Sequence, residues 1–404
     1  MDSKEVKRNS IITIGVRSIN ILLNFVITIC MTQFWGAEGK GTIALFLANL
    51  GLITIGLNVL TASSVAFFSK KLDISKLFLQ AIVWSFVVSL AGAAIVYLST
   101  KTDIAWLIFC ASFFMGLYTF YSSVFIGEQK INAYNIMSVV QPMILLLLLL
   151  LFHYTIEPTL YAYFYSLILS LIISGIISFF LVKRFKNILK FSFELAAFKK
   201  CFIYGCKEEL GHILQFFILR MSYYVLEFYS GRAALGQFST AVQISESIWI
   251  ISRSIAMVQY SKVIAEGRNK KTMQDNLKAA LYSLFISFIC IVFVMLIPKS
   301  LFAFVFGEEF YNVKDIVLLL SPGILIISFS NVLVHYFSGI GNLNISILKS
   351  AVGAVFTVIL SFILIPKYFL IGAGITSSIV YIISSVVVIV AFFNAKKKFY
   401  SLQN

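Results

Sequence analysis

The sequence predicts an all-α integral membrane protein with twelve transmembrane helices. Hydrophobic residues make up 60% of its 404 residues and charged residues only 12%, and the mean hydropathy is +0.95. A soluble domain is about half apolar and a quarter charged. Long uninterrupted apolar runs, such as 143–152 and 371–393, exclude the alternating pattern of a membrane β-barrel. Helices satisfy their own backbone groups in hydrocarbon, so they are the expected spanning element.

The apolar runs define twelve spans, and the first of them is predicted to be a retained helix rather than a cleaved signal. No link between them is long enough for a soluble catalytic domain. The predicted spans are 10–34, 42–68, 77–99, 104–126, 134–152, 160–182, 203–229, 234–260, 279–297, 315–338, 345–365 and 371–393.

Basic residues alternate along the links between the spans. Of the 32 Lys and Arg residues, 22 lie in the N-terminus, the even-numbered loops and the C-terminus, with Lys349 assigned to loop ten. The odd-numbered loops hold 6, including Lys40 in the first, and the spans hold 4. Positive residues concentrate on the cytoplasmic side, so both termini are predicted to be cytoplasmic. The formal charge of +15 therefore indicates attraction to the anionic inner leaflet rather than to nucleic acid.

A weak internal repeat divides the spans into two groups of six. The pattern F-x-G-x4-N follows span four at 125–132 and span ten at 337–344. Glycines also bracket the links after spans one and seven, at Gly36 and Gly41 and at Gly231 and Gly236. We therefore expect an N-terminal lobe at 1–182, a basic cytoplasmic linker at 183–202 and a C-terminal lobe at 203–404, with a substrate cavity between the lobes.

Polar residues in span one repeat at helical spacing. Arg17, Asn20 and Asn24 share one face with Thr13 and Thr28. Such a stripe is compatible with interhelical hydrogen bonding. An arginine inside a span needs an anion, a carboxylate or water, so Arg17 is predicted to face a cavity.

Spans seven and eight carry most of the intramembrane charges. One interpretation is a structural ion pair between Arg220 and Glu246. The alternative is a water-filled cavity where Arg220 and Arg253 hold an anionic substrate, since guanidinium matches phosphate oxygens. Both can apply together. Glu227, Glu246 and His335 are candidates for coupling to a proton.

Enzyme signatures are absent from the sequence: it contains no phosphate-binding P-loop, no H-E-x-x-H helix and no G-x-S-x-G elbow. Five scattered cysteines lack metal-ligand spacing, so no metal site, disulfide or cofactor is predicted. We therefore expect a non-enzymatic protein.

Four motifs in order resemble the Wzx-type lipid-linked oligosaccharide flippases of the multidrug/oligosaccharidyl-lipid/polysaccharide exporter superfamily. They are WGAEGKG at 35–41, ALGQFSTA at 234–241, FGEEF at 306–310 and IPKYFLIGAG at 365–374. Two positions depart from the family pattern. Ala37 stands where a proline is common, and Ser222 stands where an aspartate often follows Arg220, which puts a coupling role of that acid in doubt.

The resemblance implies a MATE-like fold of two six-helix lobes around a central cavity. It also implies transport of undecaprenyl-pyrophosphate-linked repeat units across a bacterial inner membrane for O-antigen or capsule, alongside a polymerase and a chain-length regulator. Arg17, Arg220, Arg253 and Glu246 would then serve the pyrophosphate, while Asn20 and Asn24 contact sugar hydroxyls. A multidrug or cation antiporter, a membrane-embedded polymerase or acyltransferase, and a peptidoglycan-precursor flippase remain alternatives.

Overall fold

The structure, a computed structural model, describes residues 3–102, 104–156, 158–186 and 194–401. The described residues form α-helices and one short 3₁₀ turn, and contain no strand. The helices are α1 Ser3–Thr61, α2 Ser63–Phe68, α3 Ile74–Thr100, α4 Ile104–Gly127, α5 Ile131–Thr155, α6 Tyr161–Lys183, α7 Leu195–Glu266, α8 Lys270–Leu296, α9 Lys299–Phe306, α10 Val313–Gly339 and α11 Asn344–Ser401, with the turn at Glu308–Phe310 before α10. The predicted all-α membrane architecture is confirmed.

Three of these helices are too long to cross a membrane once. α1 has 59 residues, α7 has 72 and α11 has 58, whereas about 20 residues span a bilayer. Each contains one residue with non-helical backbone angles, at Gly36, Gly231 and Phe369. In α11 a Cβ added at Gly353 would lie 3.3 Å from Ser384 Cβ, so the helix folds back on itself around Phe369.

Eight helical stretches among the described residues are long and apolar enough to cross a membrane. Two of them exceed 50 residues and each cover all or most of two predicted spans: Gly15–Phe68, across α1 and α2, and Asn344–Phe399, within α11. α7 is not one of the eight, because its charged and polar residues lower its hydropathy. The predicted count of twelve crossings is consistent with this arrangement.

The chain divides into two compact units. The first comprises the residues up to Trp35 and Phe46–Ile213, and the second comprises Gly36–Leu45 and the residues from Leu214 onward. The boundary between Ile213 and Leu214 lies within α7. The predicted linker at 183–202 lies earlier in the chain, and the predicted lobe division stays a prediction. Residues 187–193 of that linker, including Lys190, lie outside the described residues.

Each unit has its own apolar core. In the first, Phe120, Phe125 and Val182 are fully buried. In the second, Met273 and Phe392 are fully buried in a comparable cluster. Packing in these cores holds the helices of each unit in place, including those that carry polar side chains.

The glycine pattern of the predicted repeat recurs in the backbone geometry. Gly36 has φ 61° and ψ −163°, and Gly231 has φ 77° and ψ −180°, a conformation that is essentially restricted to glycine. Gly127 packs against the end of the Ser63–Phe68 helix, where an added Cβ would lie 2.4 Å from Ala66 O. Gly339 packs in the same way against the end of α7, at Tyr260 and Val263. The two halves therefore share their turning points.

Candidate functional site

An ion pair between Arg220 and Glu246 forms the centre of the candidate site. α7 folds back at Gly231, which brings these residues together although they are 26 positions apart. Arg220 Nη1 lies 3.1 Å from Glu246 Oε1, and both side chains are 28% exposed. Arg220 also donates to Tyr223 Oη at 3.3 Å. The pair is half-buried, so an incoming ligand can reach it and compete with Glu246 for the guanidinium.

Lys40 extends this cluster, although its predicted place is the loop between spans one and two. That assignment is wrong: Lys40 lies in α1, one turn after Gly36, and is only 4% exposed. Its Nζ donates to Gln243 Oε1 at 3.4 Å, and it lies within electrostatic range of Arg220. Lys40 forms no ion pair with any described residue. The signal in the sequence was a lysine among small residues, which resembles a polar turn.

A second group of polar residues surrounds Asn331 on α10. Lys349 Nζ donates to Asn331 Oδ1 at 3.1 Å, and His335 Nδ1 lies 2.8 Å from Asn331 O. Arg253 lies within electrostatic range of both Lys349 and His335, and its guanidinium lies 5.5 Å from the centre of the Trp249 ring. Lys349, whose charge was counted with loop ten because it lies at that end of span eleven, is near the start of α11 and is half-buried.

The charge balance of the second unit makes the candidate site cationic. Glu246 neutralises Arg220, whereas Lys40, Arg253 and Lys349 form no ion pair among the described residues. Charged groups in such surroundings need a counter-charge or water. The arrangement suits an anion with several oxygens, since arginine and lysine together supply donors in different directions.

Glu227 lies apart from this cluster. Its carboxylate is 3.8 Å from Arg232 Nε, next to the break at Gly231. His335 bonds a backbone carbonyl through Nδ1, which requires that nitrogen to carry a proton. The structure therefore places two of the proposed coupling groups, Glu246 and His335, near cations, and the third at a helix reversal.

The polar residues of span one belong to the first unit. Arg17 and Asn24 are exposed, while Asn20 is half-buried and donates from Nδ2 to Ser138 Oγ at 3.4 Å. Asn24 Nδ2 donates to Asn20 O at 2.7 Å. The side chain of Thr13 lies outside the described residues, so the shared face is seen only from Arg17 onward.

Comparison with known proteins supports the interpretation of the four motifs. Residues 6–260 match the model of the family described as "Polysaccharide biosynthesis protein". The chain is 27% identical over 203 residues to the capsular polysaccharide biosynthesis protein CapF of Staphylococcus aureus, an alignment that covers 50% of this chain. The chain spans about half of that relative's length, 51%.

Solved structures show the same fold. An inward-facing multidrug resistance MATE family transporter of the MOP superfamily aligns with a TM-score of 0.76 and 17% identity, covering 98% of this chain and 99% of the transporter. The lipid II flippase MurJ, in an inward closed conformation, aligns with a TM-score of 0.74 and 15% identity, covering 95% and 87%. The predicted MATE-like fold is confirmed. Because the family match covers more than half of its residues, the chain belongs to the polysaccharide biosynthesis protein family.

Proposed function

We propose that the protein is a flippase that moves undecaprenyl-pyrophosphate-linked oligosaccharide repeat units from the cytoplasmic to the outer leaflet. The observation that carries this proposal is the half-buried Arg220–Glu246 pair with three further cations, Lys40, Arg253 and Lys349, in the same unit. A neutral or cationic cargo would not need that excess of positive charge.

The chemistry of the cargo explains why the charges are needed. A pyrophosphate is multiply charged, and its transfer through bare hydrocarbon is prohibitively costly. Guanidinium and ammonium groups within the helices replace its water shell. Glu246 holds Arg220 in the empty site and yields it when a phosphate arrives. The lipid tail stays in hydrocarbon throughout.

The remaining candidate residues have auxiliary roles in this proposal. Arg17 attracts the headgroup, while Asn20 and Asn24 contact sugar hydroxyls. Glu246 and His335, with Glu227 at the reversal, are the groups that couple transport to a proton. Transport proceeds by alternating access, and the chain itself performs no covalent chemistry.

The setting proposed for this activity is a bacterial plasma membrane with both termini in the cytoplasm. The repeat units serve a surface polysaccharide, O-antigen in lipopolysaccharide or capsule. A polysaccharide polymerase and a chain-length regulator are the proposed protein partners. The family match and the similarity to the capsular protein CapF support a role in surface polysaccharide.

The test measures in which leaflet the lipid-linked repeat unit accumulates. In cells that lack the gene, the unit should be inaccessible to a membrane-impermeant glycan-oxidising reagent, and the native chain should restore access. Arg220→Ala and Arg253→Ala should each lower the restored signal at least tenfold at equal expression. Lys70→Ala, which removes an exposed charge in the link between α2 and α3, is the matched control and should restore the signal fully.

Other outcomes identify the alternatives. If both arginine variants flip normally, the site assignment is wrong. Ethidium efflux without restored glycan would indicate a drug antiporter, an alternative that the MATE-like fold favours. Outward-facing but unpolymerised units in the deletion strain would indicate a polymerase. Loss of viability on deletion would indicate a peptidoglycan precursor as cargo.

A further inference from the structure

Lys40 reaches the candidate site from an unusual part of the chain. It lies in the Gly36–Leu45 segment, which packs with the second unit although the residues on either side of it, Trp35 and Phe46, belong to the first. The charge that Lys40 contributes is therefore carried by a short stretch with both ends joined to the other unit.

Close backbone contacts hold the Gly36–Leu45 segment against α7. A Cβ added at Gly41 would lie 1.8 Å from Arg232 O, and one at Gly236 would lie 1.9 Å from Ala37 O. Both positions therefore need glycine for this approach. Real Cβ atoms do not come so near to a carbonyl oxygen, and the contact leaves no room for even a methyl group.

Glu309, in the turn before α10, secures the same segment. The backbone N–H of Ala37 donates to the Glu309 carboxylate, directly after the break at Gly36. Gln237 Nε2 donates to Glu309 O at 2.8 Å, which ties the turn to α7 as well. We call the contacts of Glu309, Gly41 and Gly236 the latch.

Lys40 extends from the latch to the ion pair. Its Nζ bonds Gln243, and Gln243 is one helical turn from Glu246, which pairs with Arg220. Lys40 therefore adds positive charge beside Arg220 from the segment that the latch holds. Arg220, Glu246 and Gln243 stay in place without it, because α7 alone positions them.

We propose that Lys40 is a positioning residue that ties the affinity of the site for the pyrophosphate headgroup to the state of the latch. With the latch closed, the ammonium group strengthens anion binding. When the latch opens, the positive charge leaves and the anion is released. This inference rests on the proposed flippase function.

The physical basis is the cost of burying an unpaired ammonium group. Lys40 is buried without an ion-pair partner among the described residues, so an anion near Arg220 relieves this cost. Coupling between two equilibria is reciprocal. Anion binding therefore stabilises the closed latch, and opening the latch weakens anion binding by the same factor.

The first experiment titrates inorganic pyrophosphate into the full-length protein in lipid nanodiscs by calorimetry. Lys40→Met, which keeps the chain length and removes the charge, should weaken binding at least tenfold. Glu309→Ala, which removes the acceptor of Ala37 N–H, should weaken binding several-fold. The double variant should bind no more weakly than Lys40→Met alone, because both changes remove the same contribution, the charge of Lys40 near Arg220. Lys70→Met is the charge-matched control.

The second experiment moves the charge to the other side of the hydrogen bond. The double variant Lys40→Gln with Gln243→Lys keeps both side-chain types, but the ammonium group then belongs to α7 whether the latch is closed or open. It should bind pyrophosphate with native affinity, insensitive to Glu309→Ala, and flip at least tenfold more slowly because release is impaired. A merely structural hydrogen bond between the two positions predicts native behaviour in both assays.

The outcomes separate this inference from the proposed function. Unchanged pyrophosphate affinity in folded Lys40→Met, or additive effects with Glu309→Ala, overturn the role of Lys40 and leave the flippase proposal standing. If Lys40→Met fails to fold, native flipping by the swapped variant overturns it. Lys40-dependent pyrophosphate binding without flipping in cells overturns the proposed function instead. No pyrophosphate binding by the native protein overturns both.

Discussion

The two halves of the chain share helix breaks at Gly36 and Gly231 and close glycine contacts at Gly127 and Gly339, but the two units differ in the polar groups that they enclose. In the first unit two hydrogen bonds between helices are neutral: Asn20 bonds Ser138, and Gln141 Nε2 donates to Ser170 Oγ at 3.1 Å. The ion pairs Lys76–Glu194 and Lys186–Glu128 of this unit lie at helix ends. Its buried carboxylate, Glu209, pairs with a histidine one turn away, near the predicted cytoplasmic end of span seven.

The second unit encloses charged groups. Arg220 pairs with Glu246, and Lys40 and Lys349 bond amide oxygens instead of carboxylates. Neutral hydrogen bonds between membrane helices contribute only about 0.6 kcal/mol on average, and they suffice to pack helices. The difference teaches that the shared geometry is the scaffold, while the charges of the second unit are the specialised part.

The largest expected effect comes from breaking the charge pair of the second unit. Arg220→Ala leaves Glu246 half-buried and unpaired, and should lower the free energy of unfolding by about 2–3 kcal/mol, less than for a fully buried pair. Gln141→Leu, the matched change in the first unit, should cost roughly 0.6 kcal/mol. Denaturant unfolding in mixed micelles measures both. Equal losses of unfolding free energy for Arg220→Ala and Gln141→Leu would contradict this difference between the two units.

A charge exchange sharpens the same comparison. Arg220→Glu combined with Glu246→Arg keeps the pair and should recover most of the lost stability. It should not recover flipping, because the guanidinium then approaches from the opposite helix. Full recovery of transport would mean that the pair is purely structural.

An intermediate effect is expected from the equivalent glycines of the repeat. Gly127→Ala meets a backbone oxygen, Ala66 O, at 2.4 Å, whereas Gly339→Ala first meets the Val263 side chain at 2.8 Å. Because a side chain yields more easily than backbone, we expect a loss of about 2 kcal/mol for the first and about 1 kcal/mol for the second. Gly175→Ala, with no atom within 4 Å, should be neutral or slightly stabilising. A larger loss of stability for Gly339→Ala than for Gly127→Ala would contradict this explanation by backbone and side-chain contact.

The smallest effect concerns an exposed pair of the first unit. Lys76 Nζ lies 2.6 Å from Glu194 Oε2, and the hydrogen bond from Lys76 lowers the pKa of the Glu194 carboxyl. Exposed pairs of this kind contribute little to stability because water and salt screen them. Because the folded-state pKa is lowered, the contribution of the pair is present above the usual glutamate pKa and is lost as the pH falls through the folded value. Lys76→Ala should therefore lower the unfolding midpoint slightly at pH 7, and this difference should shrink as the pH falls through the folded-state pKa of Glu194.

The sequence predicted the helical membrane fold, the family and the Arg220–Glu246 pairing, because these follow from hydropathy, motif order and opposite charges on adjacent spans. It did not predict the burial of Lys40 or Lys349. Hydropathy assigns a lysine near small residues to a loop, whereas only tertiary contacts show that α1 continues past Gly36 and buries it. A link between spans eleven and twelve was predicted at 366–370, but its reduction to one break at Phe369, with φ 51°, was not, since a phenylalanine rarely adopts positive φ.

The single-residue reversals at Gly36, Gly231 and Phe369 also have a practical consequence for topology mapping. An epitope or reporter enzyme inserted there would replace a single-residue break with a long foreign segment and separate the two helical segments that pack on either side of it. Fusions at these sites would then report misfolding in place of sidedness. The link between α2 and α3, at residues 69–73, and single-cysteine labelling elsewhere are the suitable sites for determining which side of the membrane each helix end faces.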